Sequence, residues 1–385
     1  MGDLQDASRD DGLPGIRGQN GACGQRDFAQ GAFVLMDAMR CVLAVSVAFA
    51  HAWYLLIEDH RGQASLTASI GYFLAGYAHA SVILFFVLSG YWIARSVDGR
   101  IAKGWYWPSY LTDRLTRLLV VLLPALAIGG ALDAIGLYVL ESSTHTGATH
   151  TYVLRRSVAD ALGWRVFIGN ILFLQDILVA PFGTNGPLWS LAYEFWFYIW
   201  FPAIIVSWRK RRPSPFLLAM GLAWIEPHML IGFGCWLCGA ALHWATRRGK
   251  GADRRPPLNR MWVGVASVVL MAMLIIVRTV GLTYLELALA AAFALFLYTL
   301  LRVGLSPPRW IEPLAAYGAR ASFSLYALHF PVLAFAAALL MGTDRLPPTV
   351  TNVVLVVLTL AWAVLVCGIF ARYTEHYTGK VRRLF

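Results

Sequence analysis

Charged side chains are scarce in this sequence of 385 residues: only 14% are Asp, Glu, Lys or Arg, whereas soluble domains average about 25%. Hydrophobic residues make up 58% of the chain, which excludes an ordinary water-soluble globular protein. Acidic residues are scarcer than basic ones, 21 against 32, and the formal net charge is +11. Such a basic excess indicates either a nucleic-acid-binding face or the cytoplasmic loops of a membrane protein.

Cysteine is also scarce. The five cysteines are scattered, and their odd number argues against a complete disulfide framework. Cys235 and Cys238 have the spacing of a redox or zinc site, but no second Cys or His pair lies near them in their apolar run. This context favours helix packing over metal binding. We therefore expect no metal ion and no permanently bound cofactor.

Apolar runs of about 20 residues, the length that a membrane-spanning helix needs, recur along the chain. They lie at 33–57, 70–94, 115–140, 187–208, 228–246, 261–278, 283–302, 321–342 and 349–372. A shorter run at 215–226 spans only if its helix extends into the flanks. The stretch 164–182 carries Asn170, Gln175 and Asp176, so we expect it to be re-entrant or interfacial. The sequence predicts an all-α, polytopic membrane helix bundle of about ten transmembrane helices.

The two ends of the chain are polar. Residues 1–32 lack bulky apolar side chains and lack the apolar core of a cleavable signal peptide. We expect a disordered cytoplasmic tail over 1–32, a transmembrane domain over 33–373 and a basic cytoplasmic tail over 374–385. No loop is long enough to form a separate catalytic domain, so any active site must be built from the helices and their short connections.

The basic residues concentrate in particular connections, which predicts the orientation of the bundle. Cytoplasmic loops are enriched in Lys and Arg, and placing these connections inside gives ten spans with both termini in the cytoplasm. Arg155 and Arg156 then lie outside, against this rule. Because the excess charge is accounted for in this way, we expect no nucleic-acid partner. The basic connections are 95–117, 209–212, 247–260, 302–320 and 372–383.

Ionisable side chains inside a bilayer are costly, which makes each one a functional candidate. The first apolar run contains Asp37, Arg40 and His51, and their spacing places all three on one helical face. Arg40 and His51 are eleven residues apart, about 16 Å along a helix. Arg40 therefore suits a distant phosphate group, and His51 suits proton transfer. The alternative is an interfacial Asp37–Arg40 ion pair and a hydrogen-bonded core histidine.

Glu194 is a second candidate, because it is a single carboxylate among aromatic residues near the outer end of a span. A carboxylate in such a place must have a partner or a perturbed ionisation. The neighbouring rings of Trp189, Tyr193 and Tyr198 fit an aromatic belt at the membrane interface, or a stacking platform for a sugar.

Two further groups of polar residues occur in or beside apolar runs. His329 lies inside the run 321–342 shortly before Pro331, which loosens a helix, and Tyr326 adds a hydroxyl nearby. Arg114 and Arg117 form a basic i, i+3 pair at the start of a helix. This pair suits an anion, and it equally suits a snorkelling anchor at the membrane surface.

Taken together, these segments resemble acyltransferase family 3, whose members O-acylate bacterial surface carbohydrates from within the membrane. The resemblance covers most of 33–373 and is specific because five motifs occur in the family's order. Where the family usually has Asp-Gly-x-Arg-Gly, this chain has Asp37-Ala-Met-Arg40-Cys41. The motifs are Asp37-x-x-Arg40 with His51 after ten residues, Phe85-Phe-Val-Leu-Ser-Gly90, Arg114-x-x-Arg117, Trp189-Ser-Leu-x-x-Glu194, and Ser324-Leu-Tyr-x-Leu-His329-x-Pro331.

The resemblance implies a ten-helix protein of the bacterial inner membrane that moves an acyl group, commonly acetyl, from cytoplasmic acyl-CoA to an extracytoplasmic carbohydrate or glycolipid. His51 is then the catalytic base and Arg40 its companion. As a hypothesis, Arg40, Arg114 and Arg117 hold the CoA phosphates, and Glu194 orients His51 or binds the sugar. Further substrate contacts are expected at Asp37, Trp189, Tyr193, Tyr326 and His329.

A transporter or flippase for a charged or lipid-linked metabolite is the alternative function. Intramembrane Asp, Arg, His and Glu are equally expected in such proteins. Secondary transporters, however, are commonly built from internal repeats with interrupted helices in matching positions. The two halves of this sequence show no convincing correspondence, which favours the acyltransferase.

Overall fold

The computed structural model describes residues 17–59, 65–210, 221, 224–247, 258–281, 285–305 and 307–382, without the side chains at 17–30, 209, 210 and 376. Within these ranges the chain is helical, with loops and short 3₁₀ turns and no strand, which confirms the all-α bundle. The helices are α1 Arg17–Leu56, α2 Leu66–Ala75, α3 Ala78–Ala102, α4 Trp107–Tyr138, α5 Ser143–Thr146, α6 Trp164–Ile171, α7 Trp189–Lys210, α8 His228–Thr246, α9 Met261–Val280, α10 Glu286–Val303, α11 Ile311–Leu340, α12 Val350–Thr374 and α13 Thr378–Val381.

Nine helical segments within the described ranges are long and apolar enough to cross a membrane. Each of them contains or closely overlaps one of the nine long apolar runs. The tenth predicted span, 215–226, falls mostly outside the described residues. The nine segments are Gly31–Leu56, Leu66–Ala102, Trp107–Tyr138, Gly186–Trp208, His228–Thr246, Met261–Val280, Glu286–Val303, Ile311–Leu340 and Val350–Val381.

α7 and α8 run in the same direction, as a further span between them requires. The ring of Trp189, at the start of α7, stacks on His79 at the start of α3. Gly232, in the first turns of α8, lies against the ring of Phe86, still in the first half of α3. Both helices therefore begin beside the same end of α3.

The stretch 164–182 contains only the eight-residue helix α6, about 12 Å long, which is too short for a bilayer core of about 30 Å. The polar side chains noted in the sequence satisfy the irregular backbone here. The Asn170 amide nitrogen donates to the carbonyl oxygens of Val166 and Ala180, and the Gln175 amide donates to that of Leu188. The prediction that this stretch is not a full span is confirmed.

The first helix begins earlier than the hydropathy indicates. α1 starts at Arg17, so the second half of the segment predicted to be disordered is helical, while residues 1–16 lie outside the described residues. A helix that is already nucleated by its membrane-spanning part extends at low cost, since each added residue forms one more hydrogen bond.

A proline inside a helix leaves a carbonyl oxygen without its usual partner, because proline has no N–H to donate to the residue four positions before it. Two of the prolines inside the described helices free a carbonyl oxygen that another element then binds. Pro331 frees the carbonyl oxygen of Ala327, which accepts a hydrogen bond of 2.8 Å from the Asn185 amide. Pro202 frees that of Tyr198, which accepts one of 2.9 Å from the Tyr110 hydroxyl. Both helices are thereby bound to neighbouring elements one turn before the proline.

Close helix contacts occur where glycine faces a neighbouring backbone. A Cβ atom at Gly90 would lie 2.0 Å from the Trp236 carbonyl oxygen, and one at Gly239 would lie 1.9 Å from that of Val87, so α3 and α8 pack backbone against backbone. On the other side of the bundle, a Cβ at Gly318 would lie 2.5 Å from the Cys41 sulfur. The glycine at 318 thus makes room for the cysteine at 41.

The bundle has two chemically different ends. At the first, the Arg95 guanidinium at the end of α3 lies over the Phe33 ring of α1, and Arg382 pairs with Asp113 near the start of α4. We call it the basic end. The opposite end, where α5, α6 and the segment up to Leu188 pack, is called the loop end. The start of α1 and the last described residue therefore lie at the same end of the bundle.

Candidate active site

His51 and His329, which are 278 residues apart in sequence, are direct partners across the contact between α1 and α11. The Nδ1 atom of His51 lies 2.8 Å from the Nε2 atom of His329, and the two rings are nearly parallel, at 18°. Phe330 meets the His51 ring edge-on at 5.0 Å. His329 is buried at 1% exposure, whereas His51 is only partly buried.

The surroundings of His329 determine which nitrogen of each ring carries hydrogen. Its Nδ1 atom lies 2.9 Å from the carbonyl oxygen of Leu325 and 3.0 Å from that of Tyr326. Carbonyl oxygens only accept, so Nδ1 of His329 is the donor and Nε2 of the neutral ring is the acceptor. Nδ1 of His51 therefore donates to it. Nε2 of His51 is left with a free lone pair, which is the arrangement of a general base.

A cavity of about 430 Å³, here called the inner cavity, opens among α1, α3, α4, α7 and α11. Seven of the residues named from sequence as candidates line it. They are Asp37, Arg40, Arg114, Arg117, Glu194, Tyr198 and Tyr326. The structure therefore brings three guanidinium groups from two helices to one cavity, although Arg40 is more than 70 residues from the other two in sequence.

The arginines of the inner cavity are only partly neutralised by protein groups. Arg40 lies 4.0 Å from the Asp37 carboxylate, so the predicted pair forms at the limit of an ion pair. Arg114 donates to the Ser96 hydroxyl at 2.9 Å, and its guanidinium lies over the rings of Tyr110 and Tyr198. The buried Nε–H of Arg114 has no acceptor among the described residues. A cavity of this composition suits an anionic ligand.

Glu194 belongs to the arginine side of the site. Its carboxylate accepts a hydrogen bond of 2.5 Å from the Tyr198 hydroxyl, one helical turn further along α7, and it lines the inner cavity with Arg40. The partner that orients His51 in this structure is His329, not Glu194. The sequence could not distinguish these two, because both are polar residues in apolar helices distant from α1.

The inner cavity ends one side chain short of the histidine pair. Neither His51 nor His329 lines it, whereas Tyr326 does, and the Tyr326 ring centroid lies 6.0 Å from that of His329. The Tyr326 hydroxyl is held by the Pro187 carbonyl oxygen and the Ser190 hydroxyl. Tyr326 thus forms the wall between the arginines and the candidate base.

Two of the aromatic candidates lie away from this cavity. Trp189 stacks on His79 with ring centroids 5.6 Å apart, and Tyr193 meets Trp189 edge-on at 5.2 Å. His79 in turn lies 3.0 Å from the Glu286 carboxylate. The rings form a cluster at the starts of α3, α7 and α10, separate from the arginine site.

Two supporting residues were not found by sequence reasoning. Tyr110 contacts both the Arg114 guanidinium and the freed carbonyl oxygen of α7, and nothing in its sequence context distinguishes it from an interfacial tyrosine. The Glu375 carboxylate accepts from the backbone N–H and the hydroxyl of Ser324, which fixes the end of α12 to the helix that carries His329. A carboxylate just after the last apolar run is the signal that could have indicated it.

Comparison with known proteins identifies the family of the chain. The model of an acyltransferase domain, that of acyltransferase family 3, matches residues 33–372. The searches of curated proteins and of solved structures found no match to the chain. The family match covers nearly the whole chain and includes every residue of the histidine pair and of the inner cavity. The chain therefore belongs to acyltransferase family 3 and is a multi-pass membrane acyltransferase.

Proposed function

We propose that this protein transfers an acyl group, commonly acetyl in this family, from cytoplasmic acyl-CoA to a hydroxyl group of an extracytoplasmic carbohydrate or glycolipid. The observation that carries the proposal is the His51–His329 pair, which leaves Nε2 of His51 free to accept a proton. The inner cavity supports it with three arginines suited to the phosphates of the donor.

In the proposed reaction, Nε2 of His51 removes the proton from the acceptor hydroxyl as its oxygen attacks the thioester carbonyl. The new ester bond forms, the carbon–sulfur bond breaks, and the departing thiolate takes the proton back from His51. His329 keeps its hydrogen bond to Nδ1 throughout and stabilises the positive charge that develops on His51. The reaction needs no metal ion and no bound cofactor beyond the donor substrate.

The donor is proposed to extend from the arginines to the histidine pair. Arg40 and His51 are separated by eleven residues of α1, about 16 Å, which suits a molecule whose phosphates lie far from its sulfur. Arg40, Arg114 and Arg117 neutralise the phosphates, and the thioester arm passes Tyr326 to reach His51. Asp37 and Glu194 hold the guanidinium groups apart and in place. Trp189 and Tyr193 remain proposed contacts for the acceptor at the far end of the bundle.

The proposed orientation places the basic end in the cytoplasm, because Lys and Arg are retained on that side. Both polar tails are then cytoplasmic, and the loop end faces outward, where a surface carbohydrate is found. The bacterial inner membrane is the location that fits this arrangement, since it offers acyl-CoA on one side and the acceptor on the other.

The test is acyl transfer in membranes that contain the protein. Incubation with radiolabelled acetyl-CoA should label extracted glycan or glycolipid, and His51→Ala should reduce the rate by about 10²- to 10⁴-fold, the usual contribution of a general base. His228→Ala, which changes an exposed histidine at the start of α8, is the matched control and should keep the wild-type rate. Full transfer by His51→Ala would exclude His51 as the base. Solute uptake without acyl transfer would instead favour a transporter.

A further inference from the structure

A second pocket opens at the basic end, where α3 ends and α4 begins. We call it the mouth pocket; it has a volume of about 650 Å³. The charged side chains among its lining residues are all cationic: Arg95, Arg100 and Lys103. Nothing in the proposed reaction yet uses it. Its position and its positive charge suit an anionic ligand.

The charge of the mouth pocket is not cancelled by the protein. Arg100 pairs with Asp113, but the same carboxylate also pairs with Arg382, so one negative charge serves two guanidinium groups. The Arg95 guanidinium lies 4.8 Å from the centre of the Phe33 ring, a contact that leaves its charge available to an anion. Lys103 is exposed just beyond the end of α3.

The mouth pocket adjoins the inner cavity. Trp92 and Ser96 line both, and Ser96 also accepts the hydrogen bond from Arg114 of the inner cavity. From Ser89, deep in the inner cavity, to Lys103 at the surface, one face of α3 lines this path over fourteen residues, about 21 Å. A long ligand can therefore occupy both spaces at once, with one anionic group in each.

The mouth pocket also offers room and an aromatic surface. A Cβ atom at Gly99 would meet no atom within 4 Å, so helix packing does not require the glycine, and the space beside it stays open. Tyr106 is 66% exposed at the rim, and the Trp92 ring lies at the passage to the inner cavity. Exposed aromatic rings beside cations are the usual platform for a nucleobase.

We infer that the mouth pocket binds the 3′-phosphorylated adenosine end of the acyl-CoA donor, with Arg95 and Lys103 on the 3′-phosphate. This inference rests on the proposed function. The inner cavity and the mouth pocket then divide the donor's phosphates: the three arginines inside take the diphosphate, and the mouth takes the separate phosphate on the ribose. A ligand with one phosphate group would leave one of the two cationic sites empty.

The test compares CoA with 3′-dephospho-CoA, using the full-length protein in bilayer discs of zwitterionic lipid and titration calorimetry. The wild-type protein should bind CoA about tenfold or more tightly than 3′-dephospho-CoA, because charge-assisted hydrogen bonds to the phosphate are lost in the latter. Arg95→Gln and Lys103→Gln should each reduce this ratio toward one while leaving the affinity for 3′-dephospho-CoA unchanged, which also shows that each variant is folded. Arg309→Gln and Lys380→Gln, exposed cations outside the pocket, should keep the wild-type ratio.

The outcomes separate the inference from the proposed function. Equal affinities for CoA and 3′-dephospho-CoA would overturn the inference and leave the proposed donor class intact; this is the result expected if the pocket serves lipid headgroups instead. A ratio that is unchanged in both pocket variants would likewise overturn it. Failure of the wild-type protein to bind either compound would contradict the proposed function itself.

Discussion

The histidine pair offers the sharpest prediction, because its two members have different roles. His329→Leu removes the acceptor that holds Nδ1–H of His51. The leucine fills the buried position with an apolar side chain of similar size. His51 itself stays in place. The substitution therefore changes the orientation and the hydrogen position of the base without removing it.

The expected magnitude follows from the hydrogen bond that is lost. A buried donor without its partner costs about 1–3 kcal/mol. At 1.4 kcal/mol for each factor of ten, the share of His51 rings in the reactive state falls by about 5- to 150-fold. The rate should fall by the same factor, near or below the lower end of the range of about 10²- to 10⁴-fold expected from losing the base altogether.

The assay is the initial rate of acyl transfer at several concentrations of radiolabelled acetyl-CoA. The loss in His329→Leu should appear in kcat with KM for the donor nearly unchanged, because His329 does not line the inner cavity. His329→Gln should recover part of the rate, since its amide oxygen can accept from Nδ1 of His51. Thermal unfolding in detergent checks that the variants are folded.

Two results would refute this reasoning. Wild-type kcat in His329→Leu would show that His51 does not depend on its partner. A loss confined to KM would show that His329 contacts a substrate, as the sequence first indicated, and does not act by positioning His51.

Two further predictions concern buried polar contacts that position the site. Asn185→Leu should lower the free energy of unfolding by about 1–3 kcal/mol in denaturant titrations. The loss should be smaller in a Pro331→Ala background, because the restored N–H of residue 331 satisfies the carbonyl oxygen of Ala327. Equal losses in both backgrounds would contradict this account. Asp133→Asn should destabilise the loop end by a similar amount, since the buried carboxylate accepts from both the backbone N–H and the hydroxyl of Thr184. The exposed Asp160→Asn is its control, and equal protease sensitivity of the two variants would speak against the prediction.

The spans and the same-helix pairs were predictable from sequence because they depend on local composition. Nine apolar runs appear as membrane-length helices in the described residues, since about 20 apolar residues in a row are sufficient to define a span. The Asp37–Arg40 pair was predictable for a similar reason, because residues three apart on a helix always face the same side.

The partner of His51 could not be predicted in this way. Which residue of α11 meets His51 depends on how far the two helices are displaced along each other, and the packing of Gly318 against Cys41 helps to set that displacement. The sequence presented Glu194 and His329 as equally distant polar residues. Only the packed bundle places His329 at 2.8 Å and assigns Glu194 to the arginines.

The sequence by itself determined that this is a membrane helix bundle with its chemistry inside the spans, because apolar length and charge are properties of single segments. The tertiary structure decided which of those charges act together. It joined Arg40 to Arg114 and Arg117 in one cavity and His51 to His329 beside it. Contacts between helices arise from crossing, kinking and close packing, and these depend on pairs of surfaces that no single segment encodes.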